Sequence, residues 1–164
     1  MGDKLRITVP AADCREIDTI VKLELGRSAL EIPPVSIRAG SKMGKVSASN
    51  VFQKSPEYAP EMAFDGDPES RWATDAGTHQ AWIAADLGKV ASVREVRICE
   101  ECGSRIQKFE MQYQDGSDWK TIFSGTTVGP EFSRKFPPVK AREFRLNILE
   151  ATEGPTIAEI SFVE

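Results

Sequence analysis

Histidine is almost missing from this chain of 164 residues; the one instance is His79. Cysteine is scarce, with Cys14, Cys99 and Cys102. A structural zinc site needs a second Cys pair or histidines and finds neither. A Ser-His-Asp arrangement has a lone histidine to build on, which argues against nucleophilic hydrolysis. The single C-x-x-C, Cys99 to Cys102, follows a strand-like run and does not open a helix. Loop thiols or a local disulfide are therefore expected there ahead of redox or metal chemistry. Positive charge is not in excess: 21 Lys and Arg stand against 25 Asp and Glu. The net charge of −4 excludes a general nucleic-acid or anionic-membrane binder, because phosphate binding needs a basic surface. No apolar run reaches the length of a membrane span, and no h-region follows Met1, so no membrane insertion is expected. Helical periodicity is also lacking, beyond one turn near APEMAF.

What the chain does have is alternation. AWIAADLG places Ile83, Ala85 and Leu87 on one face and Trp82, Ala84 and Asp86 on the other. SVREVRI alternates Val96 and Ile98 with charges. KFEMQY does so with Phe109, Met111 and Tyr113. QDGSDWKTIF opens on an Asp-Gly turn signal and should return as a hairpin. AREFRLNIL turns Phe144, Leu146 and Ile148 inward, and TIAEISFV closes with Ile157, then Ile160 and Phe162 in phase with each other. Period-two patterning with turns every ten or so residues predicts an all-β antiparallel sandwich. Residues 45–164 are long enough for its core. Residues 1–37 read as the tail of a preceding β-rich domain, and residues 38–44 as a linker. The strand-like opening GDKLRITVP suggests that the chain continues a longer one. Trp72, Trp82 and Trp119 each fall in a strand-like motif and are expected in the core.

AFDGDPESRWATD, residues 63–75, breaks this pattern. Asp65 supplies a carboxylate, Gly66 permits a tight turn, and Pro68 keeps Asp67 extended. Ser70 adds a hydroxyl. All are hard oxygen donors, the set that suits calcium. An Asx-rich turn satisfying its own amides would read the same way. Arg71 is expected to brace a loop against a nearby acid.

Seven motifs stand in order: KVSASNVF, AFDGDPESRWAT, WIAADLGK, VREVRI, RIQKFEMQYQDGSDWKTIFSG, FPPVKAREFRLNIL and IAEISF. Together they resemble the coagulation-factor-type C, or discoidin, domain. More narrowly they resemble the family 32 carbohydrate-binding modules appended to bacterial glycoside hydrolases. The resemblance runs from Lys45 to the C-terminus and implies a galactose-binding-like β-sandwich (jelly roll). The preceding piece is similar to the closing strands of the sandwich that follows the barrel of α-L-fucosidases; a β-N-acetylhexosaminidase (chitobiase-like) parent is the other expectation. The resemblance also implies a structural calcium. Asp65 and Glu159 would give carboxylates, Ser70 its hydroxyl and carbonyl, and Met62, Asp67 and Ala158 backbone carbonyls.

The loops around that turn offer Phe52, Tyr58, Asp75, His79, Gln80, Glu100, Glu101 and Arg105 as candidate sugar contacts, with an aromatic face for a ring and polar groups for hydroxyls. Many galactose-binding members carry an Arg just after the strand matching VREVRI; Glu100 and Glu101 stand there instead. The resemblance implies a non-catalytic module that targets a secreted or periplasmic glycoside hydrolase to glycans, acting as a monomer. The alternative is a protein-interaction or spacer domain. Intrinsic catalysis is not expected: Glu100 and Glu101, as neighbours on one strand, point to opposite faces and cannot form a glycosidase dyad.

Overall fold

The computed structural model describes residues 44–164. The expected tail, residues 1–37, and the linker up to residue 43 lie outside the described residues. Among the described residues there are seven strands: β1 (Lys45–Ala48), β2 (Trp72–Ala73), β3 (Ala81–Glu100), β4 (Ile106–Asp115), β5 (Asp118–Gly125), β6 (Phe132–Ala151) and β7 (Thr156–Val163). Three 3₁₀ turns fill the connection from β1 to β2, at Phe52–Lys54, Pro56–Tyr58 and Pro60–Ala63. Prolines start the second and third, where a missing N–H costs nothing.

The hydrogen-bonded order is β2-β7-β3-β6-β4-β5, with β1 added to β3, and every pairing is antiparallel. β3 and β6 are each 20 residues long, and their shared ladder shifts register between Asp86 and Ala91 and again between Val93 and Glu95. Such irregularities bend a strand. The first half of β3 lies between β1 and the second half of β6, which continues to β4 and β5. The second half of β3 lies between β7 and the first half of β6. Two layers result, and both long strands serve both of them. The fold is the galactose-binding-like β-sandwich.

Side chains from the two layers meet inside. Phe109 of β4 packs edge-on against Phe132 of β6 at 5.3 Å between centroids, and Phe144 meets Phe162 of β7 at 5.1 Å. The inward residues expected from alternation are buried: Ile83, Ala85, Phe144, Leu146 and Ile148 are each 1% exposed. Each large side chain so buried contributes roughly 1.5–3 kcal/mol. The Asp-Gly hairpin is present, with Asp115 opposite Asp118 and Gly116 at φ 65°. Of the tryptophans, only Trp72 is in the core, fully buried. Trp82 and Trp119 are half-buried and lie outside the main cluster. The guanidinium of Arg145 covers the Trp119 ring at 4.3 Å. Trp82 lies in opposite phase to buried Ile83, which puts it on the outward face. Trp119 shares the phase of buried Phe123 and is turned outward by the register shift between Met111 and Gln112 in the β4–β5 ladder.

Candidate functional site

The acidic turn and β7 come together. Ser70 Oγ lies 3.1 Å from Met62 O, 2.9 and 2.8 Å from the two Asp65 carboxylate oxygens and 3.0 Å from Asp67 O. A hydroxyl has one hydrogen and can donate to one of these four. The remaining contacts set oxygen against oxygen, which calls for positive charge. Gly66 N–H donates to Glu159 Oε2 at 3.1 Å, so a second carboxylate reaches the same turn from the last strand. Burial pushes Glu159 up to about 7; the Gly66 N–H opposes that, and the Asp65 charge adds to it.

A bulge explains how β7 contributes. Cys99 pairs with Glu159 and the next residue, Glu100, with Ile157, so Ala158 is an extra residue that the ladder passes by. Its backbone is thereby released from strand pairing. Met62, Asp65, Asp67, Ser70 and Glu159 are thus brought together, with Ala158 adjoining. Among the described residues no three His, Cys, Asp or Glu side chains converge. This site draws instead on carbonyls, a hydroxyl and two carboxylates, a donor set that can hold a hard cation.

Directly after Ser70 the chain enters a cleft of about 230 Å³. Phe52, Tyr58, Arg71, Thr74, Arg105 and Glu153 are among its lining residues. Phe52 and Tyr58 pack edge-to-face at 5.3 Å. Arg71 lies over the Tyr58 ring at 5.4 Å and donates to Glu101 Oε1 at 3.1 Å, the brace expected of it. Arg105 Nη1 donates to Gly154 O at 2.9 Å. The volume is below the roughly 300 Å³ at which pockets for drug-sized ligands begin. It has room for one small ring, with the Phe52 and Tyr58 rings and the Arg71 and Arg105 guanidiniums in its lining, while the Thr74 and Thr156 hydroxyls give their hydrogens to the Pro155 and Gly154 carbonyls.

Of the sugar-contact candidates, Phe52, Tyr58 and Arg105 line this cleft, and Glu101 reaches it through Arg71. The others are placed differently. Asp75 accepts from Gln53 N–H at 2.8 Å and Asn50 Nδ2 at 3.0 Å; these bonds, the Gln53 N–H first, hold its carboxyl below the ordinary range. It anchors a loop. Glu100 is 2% exposed and accepts from the N–H groups of Arg105, Ile106 and Gly129, each at 2.8 Å. It closes the Glu101–Arg105 loop from beneath and lies outside the cleft. His79 Nδ1 faces Ala151 O at 2.7 Å and so carries the hydrogen; Gln80 beside it is exposed. Neither lines the cleft. Glu153, which no sequence argument singled out, does line it. Its carboxylate accepts from Gly77 N–H and Gly154 N–H, and these bonds keep its carboxyl below the ordinary range. The signal available was its place in the E-G-P turn.

A family model described as F5/8 type C domain matches residues 45–162. The chain is 30% identical over 104 residues to "Putative alpha-L-fucosidase 1" of Oryza sativa subsp. japonica, which covers 62% of this chain and 20% of the rice protein. The chain therefore spans about a fifth of the length of that relative. A Ruminococcus gnavus GH29 fucosidase solved in complex with fucose superposes with a TM-score of 0.67 at 28% identity, covering 73% of this chain and 25% of that one. A family 32 carbohydrate-binding module of C. perfringens in complex with galactose shares the fold, with a TM-score of 0.64 at 19% identity over 73% of this chain and 93% of that one. By its match over residues 45–162, this chain belongs to the F5/8 type C (discoidin) domain family.

Proposed function

We propose that residues 45–164 form a non-catalytic carbohydrate-binding module of a secreted or periplasmic glycoside hydrolase, with an α-L-fucosidase-like or chitobiase-like parent. Weak binding to a glycan raises the effective concentration of an attached catalytic domain at its substrate. The observation that carries this reading is the cleft beside the acidic turn, whose lining brings Phe52 and Tyr58 together with Arg71 and Arg105. An aromatic ring face takes the apolar side of a sugar ring, and the charged donors take its hydroxyls. The likeness to a family 32 carbohydrate-binding module solved with galactose, and to a quarter of a GH29 fucosidase, supports this reading.

Calcium is the cation proposed for the turn. Asp65 and Glu159 would hold it with their carboxylates, Ser70 with its hydroxyl, and Met62, Asp67 and Ala158 with carbonyls. The ion supplies charge neutralisation for oxygens that otherwise repel, and fixes Ser70, from which Arg71 enters the cleft.

Titration calorimetry and a glycan array test the reading. Fucose- or galactose-terminated glycans should bind weakly, and Phe52→Ala and Tyr58→Ala should each weaken binding about tenfold, the loss of a stacking contact worth about 1–1.5 kcal/mol. A folded protein that binds no glycan would leave the protein-interaction or spacer reading.

A further inference from the structure

A second depression adjoins the cleft, with a volume of about 470 Å³. Ser49, Asn50, Lys54, Ser55, Pro56 and Asp75 are among its lining residues. The two cavities share a wall. Val51 and Lys54 line the depression while Phe52 lines the cleft; Asp75 lines the depression while Thr74 and Ala76 line the cleft. Two segments, residues 51–54 and 74–76, thus separate the cavities by a single thickness of backbone.

That wall is strained. Gln53 and Lys54 adopt φ of 50° and 54°, and neither is glycine. Side-chain-bearing residues in the left-handed region cost of order 1 kcal/mol each, and such strain persists where the surroundings over-determine it. Here Asp75 does so, with one oxygen on Gln53 N–H and the other on the Asn50 amide, while Asn50 Oδ1 accepts from Asp75 N–H at 2.7 Å. Both Asp75 oxygens are thereby engaged, so the carboxylate positions the wall.

The remaining polar groups are donors. Lys54 makes no salt bridge among the described residues, though its charge is felt by the Asp75 carboxylate that lines the same depression. Ser49 Oγ accepts from Trp82 N–H and Ser55 Oγ from Glu57 N–H, which leaves both hydroxyl hydrogens to give. An ammonium and two hydroxyls beside apolar Val51 and Pro56 suit a sugar ring bearing an acidic substituent.

We propose that this depression is a second subsite, which takes the residue adjoining the sugar in the cleft and uses Lys54 to read a carboxylate or sulfate upon it. The proposal rests on the carbohydrate-binding reading. The strained Gln53–Lys54 segment is what brings Lys54 to the lining of the depression, beside the partition between the two subsites.

The test titrates the whole chain with three sets of probes: neutral mono- and oligosaccharides, the same oligosaccharides with one residue oxidised to a uronate, and sulfated counterparts. Acidic oligosaccharides should bind about fivefold more tightly than their neutral forms, the upper end for a partly exposed ion pair. Lys54→Ala should erase that gain and leave monosaccharide binding unchanged. The uronate and sulfate arms identify which acid is read. Lys54→Gly provides the control for folding. Glycine accepts the left-handed conformation, so this variant should melt at a higher temperature than the parent and still lose the gain. Equal affinity for neutral and acidic probes, or a gain that survives in either variant, overturns the second subsite while leaving the cleft intact. Failure of every glycan to bind overturns both.

Discussion

At the scale of single residues, the decisive groups are those whose polar atoms are fully committed. Glu100 is the clearest case, a buried carboxylate taking three backbone N–H groups from two loops. Glu100→Ala would strand those donors and should cost about 3 kcal/mol, read from the urea midpoint; a loss under about 0.5 kcal/mol would show that the loops re-satisfy themselves. Ser70 makes the opposite point, since its one hydrogen cannot answer four oxygens. Under the proposed calcium site, Ser70→Ala should weaken calcium binding at least about tenfold in calorimetry and change the calcium-free melting temperature far less. The same contrast explains what the sequence revealed. Asp65, Asp67 and Ser70 are hard donors close together in one turn, visible without a fold. The partners of Glu100 are backbone groups 5, 6 and 29 positions away, and no residue type marks them.

At the scale of elements, alternation carried most of the fold and two irregularities carried the rest. Ile157 and Ile160 are both buried, yet three positions apart they cannot share a face of a regular strand. That slip in phase is the bulge at Ala158, written in the sequence and readable as such only once Glu159 is seen beside Gly66. The outward Trp82 is legible by phase against the residue-type rule that large aromatics are usually buried, whereas Trp119 shares the phase of buried Phe123 and is turned out by the second irregularity, the register shift between Met111 and Gln112. β5 ends at Gly125, opposite Phe109 in the β4 ladder. A Cβ at Gly125 would stand 2.5 Å from Phe109 Cζ. Gly125→Ala should therefore force the Phe109 ring out of its contact with Phe132 and destabilise by about 1–3 kcal/mol. Combining Gly125→Ala with Phe109→Leu should recover part of that loss, whereas additive losses would place the clash elsewhere.

At the scale of the whole molecule, stability should depend on pH and calcium together. Glu159 sits at about 7 in the folded protein against an ordinary value of 4.5. Below about 4.5 both states hold the proton; between about 4.5 and 7 the folded state holds a proton that the unfolded state has released. Calcium-free stability should thus fall as pH rises through that window, by about 1–2 kcal/mol once the half-exposed setting of the carboxylate is discounted. Calcium should flatten the trend, because the ion takes the place of the proton, and saturation at about 100 times its Kd should add about 2.7 kcal/mol. Melting curves at pH 5 and pH 7.5, each in EDTA and in calcium, check both statements; a calcium-free protein that is more stable at pH 7.5 would contradict the first.

The passage of β3 and β6 from one layer to the other has a mechanical consequence. No seam runs between the sheets along which they could part, because two covalent backbones stitch across it. Tension applied to one face is borne by peptide bonds before it reaches any side-chain contact, so neither sheet can melt while its neighbour survives. Tryptophan fluorescence and far-ultraviolet circular dichroism should report the same denaturant midpoint, as a single cooperative transition.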